Sequence, residues 1–441
     1  MKETIELTLD AIAHGGEAIG RHGGKTIFVP YAIPGERVRV EIVEEKERWA
    51  RTRLLEVVQP SPDRVEPPCP YFGPDRCGGC QWQHIAYERQ AELKAEIVAD
   101  HLRRLGRMAS PPVVDTLVLA APPALDGEAD TANRQSEIRN PKSEITLLDF
   151  GYRNHVRFDL TAEGRLGFRQ TDGAAVIPID HCLLLHERLD ELHAALDVAW
   201  PELTAVSLRA GINTDQGMIL METAGVDLPE LELDVTAACA VLTPRGLQPL
   251  IGEPWMEEEV AGRRYRVSAE SVFPANTVGA EALVEIVRSY ADLQPTDVLL
   301  DAGCGVGLFA LALAESAAEV IGIESSPAAC EDFAHNAADL PHISLHEGAV
   351  GDVLPALRAE GQRVDVVIIG PPRTGAGEAV IGELAAHNPR RIVYVASDPA
   401  TLARDSIYLA AAGYRLVEAQ PVDTAPQTVQ FETVALWEKM R

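Results

Sequence analysis

The feature that most constrains the fold of this chain is a regular alternation of apolar strands and helices from about residue 277 to the C-terminus. Seven strands are predicted, at 297–302, 319–324, 343–346, 364–369, 391–396, 414–422 and 430–437. A short link joins the last two strands, which predicts that they run antiparallel. Such alternation is typical of a doubly wound sheet. Residues 271–441 are therefore predicted to form a Rossmann-like α/β domain.

A glycine-rich loop follows the first strand of this series. Residues 301–307 read Asp-Ala-Gly-Cys-Gly-Val-Gly, a G-x-G-x-G spacing that differs from the G-x-G-x-x-G of dinucleotide sites. Glycines let the backbone approach a ligand closely, and Glu324 at the end of the second strand can accept hydrogen bonds from ribose hydroxyls. The absence of a basic residue suits a ligand without phosphate. These features favour S-adenosylmethionine, bound near Asp301, Gly303, Gly305 and Gly307, and a methyltransferase over a dehydrogenase.

Four of the 7 cysteines are candidate metal ligands. Cys69, Cys77 and Cys80 lie in one short segment, in which two glycines separate Cys77 from Cys80. Cys182 comes later in the chain. An odd cysteine count in a chain without an apparent leader favours metal or catalytic use over a disulfide framework. Thiolates bind both structural zinc and iron–sulfur clusters. The spacing leaves both metals open.

The first 60 residues predict a small antiparallel β-barrel. Apolar and charged residues alternate in 36–42, and glycine pairs at 15–16 and 23–24 supply turns. Arg37, Arg39, Arg51 and Arg53 could form a basic face that contacts RNA. The glutamates between them fit an ordinary solvated strand surface equally well.

Charge and hydropathy limit the function classes further. The chain has 39 basic and 67 acidic residues, a net charge of −28, and a field of this sign repels nucleic acid. Residues 1–110 are nearly balanced, with 16 basic and 17 acidic side chains, so contact with a polyanion is expected near the N-terminus. No apolar run approaches the ~18 residues of a membrane span. A cytoplasmic enzyme without membrane contact is predicted.

The middle of the chain is predicted to be a β-rich domain over 61–270 that carries the cysteine segment. Within it, residues 121–146 contain little that could build a core, and a disordered insertion is predicted there.

Together these segments resemble the RNA 5-methyluridine methyltransferase family, particularly its rRNA (uracil-5-)-methyltransferases, over nearly the whole chain. The resemblance lies in GGEAIGRHGGKTIFVPYAIPGERVRV, CPYFGPDRCGGCQWQH, GYRNHVRF, DAGCGVG, GIESSPAAC, GPPRTG, YVASDPATLARD and QTVQFETVALW. It implies an N-terminal TRAM domain, an OB-like barrel that binds RNA, and a C-terminal class I methyltransferase domain that uses S-adenosylmethionine. It also implies a [4Fe–4S] cluster, rather than zinc, on the four cysteines. An rRNA substrate is expected more than a tRNA, and a monomer is expected.

The resemblance also assigns catalytic positions, and the chain departs from the family at three of them. In the family a cysteine thiolate adds to C6 of uracil, C5 takes the methyl group, and a carboxylate removes the C5 proton. Glu432 would be that base, but Ser397 stands at the cysteine position. Gly370, beside the cofactor, replaces the aspartate of a DPPR motif, and Pro274 replaces a glutamine. Two functions stay open: an RNA methyltransferase with altered chemistry, and a catalytically inactive relative that binds RNA with or without the cofactor.

Overall fold

The computed structural model describes residues 3–121, 146–171, 173–196, 200–229 and 234–440. The predicted disordered insertion at 121–146 lies, apart from its two end residues, outside the described residues. Among the described helices, none is both long enough and apolar enough to cross a membrane. The domain boundaries at 60 and 270 stay a prediction.

The N-terminal strands close into a barrel. They are β1 (Thr4–Ile12), β2 (Ala18–His22), β3 (Lys25–Val29), β4 (Arg37–Glu45) and β5 (Trp49–Gln59), in the order β1-β2-β3-β5-β4. The predicted barrel is confirmed, with one correction to its strand directions: β3 and β5 pair in parallel over Thr26–Phe28. A closed ring with an odd number of strands cannot be antiparallel throughout. Val38 and Val40 of β4 are buried, while Arg37 and Arg39 point outward, as the alternation predicts.

Helix α1 (Tyr87–Arg104) follows the cysteine segment and packs on the C-terminal part of the chain. Its side chains Leu93 and Ile97 belong to the same hydrophobic core as Leu300 and Tyr394. The apolar stripe of the helix therefore faces the C-terminal sheet.

The middle of the chain forms a seven-stranded sheet of order β12-β11-β10-β9-β6-β7-β8. Its elements are β6 (His155–Leu160), β7 (Leu166–Arg169), β8 (Val176–Pro178), α2 (Glu187–Ala194), β9 (Leu203–Gly211), β10 (Gln216–Thr223), β11 (Ala238–Thr243) and β12 (Gly246–Ile251). Helix α2 packs against β9, and its Leu189 and Leu192 are buried. A hairpin of β13 (Trp255–Val260) and β14 (Arg263–Ser268) follows, and then α3 (Thr277–Ala291).

The C-terminal part is a seven-stranded sheet of order β17-β16-β15-β18-β19-β21-β20, parallel except for β21. Its elements are β15 (Val298–Ala302), α4 (Leu308–Ala312), β16 (Glu319–Glu324), α5 (Pro327–Asn336), β17 (Ile343–Glu347), α6 (Val350–Ala359), β18 (Val366–Ile369), α7 (Gly377–Ala386), β19 (Arg391–Ala396), α8 (Pro399–Ala411), β20 (Tyr414–Val422) and β21 (Glu432–Lys439). All seven predicted strands are present, and the antiparallel arrangement of the last two is confirmed. This order brings several strand ends together at one edge.

Candidate active site

The carboxyl ends of β15, β16 and β18 meet at one edge of the C-terminal sheet. Ala302 is in register with Ile323 of β16 and with Ile369 of β18. Gly303 and Gly370 follow β15 and β18, and Glu324 is the last residue of β16, so all three reach the same edge. Strand order reverses between β15 and β18, and ligands of open α/β sheets bind at such a reversal.

The glycine loop turns sharply away from β15. The backbone N–H groups of Gly303 and Cys304 donate to the carbonyl of Ile323 at 2.9 and 3.0 Å. Gly303, Gly305 and Gly307 have φ values of +81°, +56° and +101°, a region that other residues enter only with strain. A Cβ at Gly305 would meet nothing within 4 Å, so this side of the loop is open. The backbone is therefore accessible to a ligand there.

Glu324 is held in one orientation by the loops on either side of it. Its carboxylate accepts hydrogen bonds from the backbone N–H groups of Gly305, Ser325 and Ser326, at 2.9, 2.7 and 2.8 Å. Two carboxylate oxygens offer about four acceptor positions, so capacity for a ribose hydroxyl is left.

The buried carboxylate of Asp301 connects the end of β15 to helix α4, on either side of the glycine loop. It is 1% exposed, and its carboxylate accepts from the backbone N–H of Ala310 in α4 at 3.0 Å. Burial, with the nearby charge of Glu324, raises the pKa of Asp301 to about 7. Asp301 was predicted at the cofactor, but its carboxylate is buried against α4 and does not reach the open side of the loop.

Ser397 and Glu432 lie across from each other at the same sheet edge. The antiparallel β19–β21 ladder ends at the pair Ala396 and Thr433. Ser397 follows Ala396 and Glu432 precedes Thr433, so these two residues face each other just beyond the last pair. Glu432 is half-buried, and its carboxylate has no hydrogen-bond partner within the part of the chain that the structure describes. Burial raises the pKa of Glu432 to about 7, although the positive charge of Arg373 opposes this. A carboxyl group with this pKa suits a general base at neutral pH.

Asp398, the residue after Ser397, is engaged elsewhere. One carboxylate oxygen accepts from the backbone N–H of Thr401 at 2.8 Å and caps α8, and the other lies 3.1 Å from His14 Nε2 of the barrel. Its side chain is therefore not arranged to activate Ser397. The Ser397 hydroxyl itself makes no hydrogen bond to any described residue.

The other two departures from the family are Gly370, which follows β18, and Pro274, which precedes α3. Gly370 is exposed, and a Cβ there would meet only the carbonyl oxygen of Gly303, at 4.0 Å. Pro274 accepts from Asn154 Nδ2 at 3.1 Å through its carbonyl oxygen. The site therefore has room for an aspartate at 370.

The four candidate metal ligands line one cavity beside Arg153 and Gln83: Cys69, Cys77, Cys80 and Cys182. All four are free thiols. Burial and the neighbouring thiols raise the pKa of Cys80 to about 12 and of Cys182 to about 11. Across the described ranges, no group of three or more His, Cys, Asp or Glu side chains is arranged to hold a metal ion. The structure brings the four cysteines to one place, and the metal stays a prediction.

The predicted basic face of the barrel is largely neutralised by its own glutamates. Arg37 lies 3.4 Å from Glu6, and Arg53 lies 2.8 Å from Glu41. The two remaining arginines also have acidic partners, at 2.5 Å for Arg39–Glu56 and 3.9 Å for Arg51–Glu17. Exposed ion pairs are weak, typically about 0–1 kcal/mol. RNA phosphates could therefore compete for these arginines.

Helix α1 also contributes to this site, which the motifs of the sequence did not predict. Gln90 and Lys94 lie on the buried face of α1 and reach the segment that leads into Glu432. The available signal was two polar residues, one helical turn apart, within an otherwise apolar stripe.

Comparison with known proteins places the chain in a family. Residues 2–55 match the TRAM domain, and residues 299–387 match a methyltransferase domain. An uncharacterized RNA methyltransferase of Streptomyces coelicolor is 35% identical over 99% of this chain and 93% of its own length. The chain belongs to this RNA methyltransferase family. Another member, from Thermosynechococcus vestitus, is 34% identical over 98% of this chain and 97% of its own length.

A solved structure shares the fold of this RNA methyltransferase family member along its length. The tRNA (uracil-54, C5)-methyltransferase of Pyrococcus abyssi, in complex with S-adenosyl-L-homocysteine, superimposes with a TM-score of 0.72. The two sequences are 24% identical, and the match covers 98% of this chain and 99% of the other. The predicted fold class, a barrel followed by a methyltransferase domain, is confirmed.

Proposed function

We propose that the protein transfers a methyl group from S-adenosylmethionine to RNA, at C5 of a uracil base. The observation that carries this proposal is the position of Glu432. Its carboxyl group has a pKa of about 7, has no hydrogen-bond partner among the described residues, and lies opposite Ser397 at the edge that carries Gly303 and Glu324. Methylation at a C–H position needs a proton acceptor, and Glu432 supplies one at the sheet edge that carries the cofactor loop.

The cofactor would occupy the open side of the glycine loop. Glu324, already oriented by three backbone N–H groups, would accept hydrogen bonds from the ribose hydroxyls, and the backbone at Gly303 and Gly305 would lie against the ligand. Bound there, S-adenosylmethionine supplies an electrophilic methyl group. Gly370 leaves extra space at this point, because no side chain projects from the end of β18.

The acceptor side determines how well such a reaction can proceed. Glu432, about half ionised at neutral pH, would accept the C5 proton. Ser397 would be the residue that attacks C6, but a hydroxyl group needs a neighbouring base before it can attack. Asp398 is committed to Thr401 and His14, so it does not fill that role. Slow or altered methyl transfer is therefore expected.

A second candidate function is supported by Ser397, whose hydroxyl group has no hydrogen-bond partner in the described part of the chain. A chain with a complete cofactor loop and no activated nucleophile could bind RNA and S-adenosylmethionine without transferring the methyl group. This inactive relative would retain cofactor binding through Glu324 and lose turnover at Ser397.

The cysteine cavity is proposed to hold a [4Fe–4S] cluster, with zinc as the alternative. The support is that four free thiols line one cavity, a donor set that suits either metal site. Protein purified without oxygen should contain about four iron and about four sulfide ions per chain. Stoichiometric zinc in place of iron would overturn the assignment.

The RNA substrate is proposed to be rRNA rather than tRNA, with the barrel as one contact surface. The protein should be incubated with labelled S-adenosylmethionine and, separately, with rRNA and tRNA that lack modified uridine, and the nucleosides then analysed. We expect label in 5-methyluridine of rRNA. Label in another nucleoside would show a different acceptor, and cofactor binding without any labelled nucleoside would establish the inactive relative.

A further inference from the structure

The segment that leads into Glu432 is held by side chains from several distant parts of the chain. We call residues 423–431 the base loop, because they connect β20 to β21 and end immediately before Glu432. Connecting loops usually lie on the surface and move more than the elements they join. This one is largely buried, and five of its residues are shielded from solvent: Asp423, Pro426, Gln427, Thr428 and Phe431.

The centre of the base loop is bound by a reciprocal pair of amide side chains. Gln90 Nε2 of α1 donates to Gln427 Oε1 at 2.9 Å, and Gln90 Oε1 accepts from the backbone N–H of Gln427 at 3.0 Å. Gln90 is 0% exposed. Gln427 has a φ of +66°, a left-handed conformation that is costly for a residue with a side chain. The pair therefore holds the loop in a conformation that it would not favour alone.

The start of the base loop is bound by a buried ion pair. Lys94 Nζ, one helical turn after Gln90, lies 2.5 Å from Asp423 Oδ1, and neither side chain is exposed. The same ammonium group lies 3.4 Å from the carbonyl oxygen of Ala425, and 6.0 Å from the ring centre of Phe431. Lys94 thus contacts both ends of the loop.

Three other segments of the chain also bind the base loop, each by a hydrogen bond to one of its backbone carbonyls. Asn276 Nδ2 donates to the carbonyl of Thr424 at 3.0 Å, and the Tyr152 hydroxyl donates to the carbonyl of Pro426 at 3.0 Å. In the cysteine segment, the backbone N–H of Trp82 donates to the carbonyl of Gln427 at 3.1 Å. The base loop is therefore anchored at several separate points along its length.

We propose that Gln90 and Lys94 are positioning residues that fix the base loop and so hold the Glu432 carboxyl group opposite Ser397. This inference rests on the proposed role of Glu432 as the base. Neither residue contacts the reacting atoms, and both act through the loop. Loss of the anchors should lower the rate of proton removal and leave cofactor and RNA binding unchanged.

The test compares Gln90→Leu with Glu92→Gln, an exposed position on the same helix. Leucine has a similar size, and it removes both hydrogen bonds to Gln427. We expect kcat to fall about tenfold or more, with KM for RNA and Kd for S-adenosylmethionine within twofold of the parent chain. We also expect faster amide hydrogen exchange across 424–432. The control should change none of these quantities.

A second variant covers the case in which Gln90→Leu does not fold. Gln427→Gly removes one side chain of the pair, keeps the backbone N–H that Gln90 accepts from, and suits the left-handed φ. In this variant too, kcat should fall while KM for RNA stays unchanged. Unchanged exchange in the base loop of either folded variant, or a loss of kcat matched by the control, would overturn the proposal.

The exchange measurement also separates this proposal from the proposed function. If the parent chain transfers no methyl group, the role of Glu432 as a base fails, while exchange across 424–432 still shows whether Gln90 fixes the loop. If the parent chain is active and exchange responds without any change in kcat, the positioning role alone is refuted.

Discussion

The two halves of the candidate active site differ in how completely their side chains are partnered. On the cofactor side, Glu324 accepts three backbone hydrogen bonds and Asp301 accepts one from α4. On the acceptor side, neither Ser397 nor Glu432 has a hydrogen-bond partner among the residues that the structure describes. A prearranged cofactor half can persist beside an acceptor half whose chemistry has changed. Binding and turnover should therefore be tested separately.

The largest effect is expected from Glu432→Gln, which removes the proposed base. Methyl transfer should fall about 10²–10⁴-fold, because a positioned general base contributes a factor of this size. In the parent chain, transfer should decrease as the pH falls below about 7, where the Glu432 carboxylate becomes protonated. A rate that is the same at about pH 6 and about pH 8 would contradict the assignment.

The same substitution should affect stability in the opposite direction. Because burial raises the pKa of Glu432 from 4.5 to about 7, its ionisation disfavours the folded state as the pH rises through this range. At a pH above 7, Glu432→Gln should therefore unfold at a temperature equal to or above that of the parent chain. A lower unfolding temperature would mean that the carboxylate makes a stabilising contact when ionised.

The cofactor half is tested by Glu324→Ala. The variant loses an ionised acceptor for ribose hydroxyls, and hydrogen bonds to charged groups are worth about 1.5–3 kcal/mol. The Kd for S-adenosylmethionine measured by calorimetry should rise at least about tenfold. Glu347→Ala, at the end of the neighbouring strand β17 and exposed, is the matched control and should leave the Kd unchanged. If both variants bound S-adenosylmethionine with the same Kd, Glu324 would not be a cofactor ligand, and the cofactor site would have to lie elsewhere.

A smaller gain of function is expected from Ser397→Cys. A thiol forms its anion far more readily than a serine hydroxyl, so formation of 5-methyluridine should increase. The gain should be limited, because Gly370 and Pro274 also differ from the family pattern. Adding Gly370→Asp, for which the structure has room, should increase it further. Full activity from Ser397→Cys alone would show that the other two positions matter little.

The sequence predicted more of the fold than of the site. Strand alternation and the glycine loop were enough for the C-terminal sheet, because period and turn chemistry are local properties of the chain. The position of Ser397 opposite Glu432 could be expected only once β19 and β21 were known to pair. The contacts of Gln90 with Gln427 and of His14 with Asp398 join residues more than 300 positions apart. Nothing local in the sequence encodes such pairs.

The smallest effect is expected on the barrel, where the arginines are already paired. Arg53→Gln should raise KM for RNA by no more than about fivefold, because an exposed ion pair is worth at most about 1 kcal/mol and part of the charge is already neutralised by Glu41. Glu41→Gln releases Arg53 and should instead lower KM. If Arg53 contacts a phosphate, the salt dependence of RNA binding should be steeper in Glu41→Gln than in Arg53→Gln, since each phosphate contact adds about 0.7 to the slope for single-stranded RNA. If the salt dependence of RNA binding had the same slope in both variants, the RNA would bind on another surface. The barrel would then have no direct part in substrate binding, whereas the cofactor half would still bind its ligand.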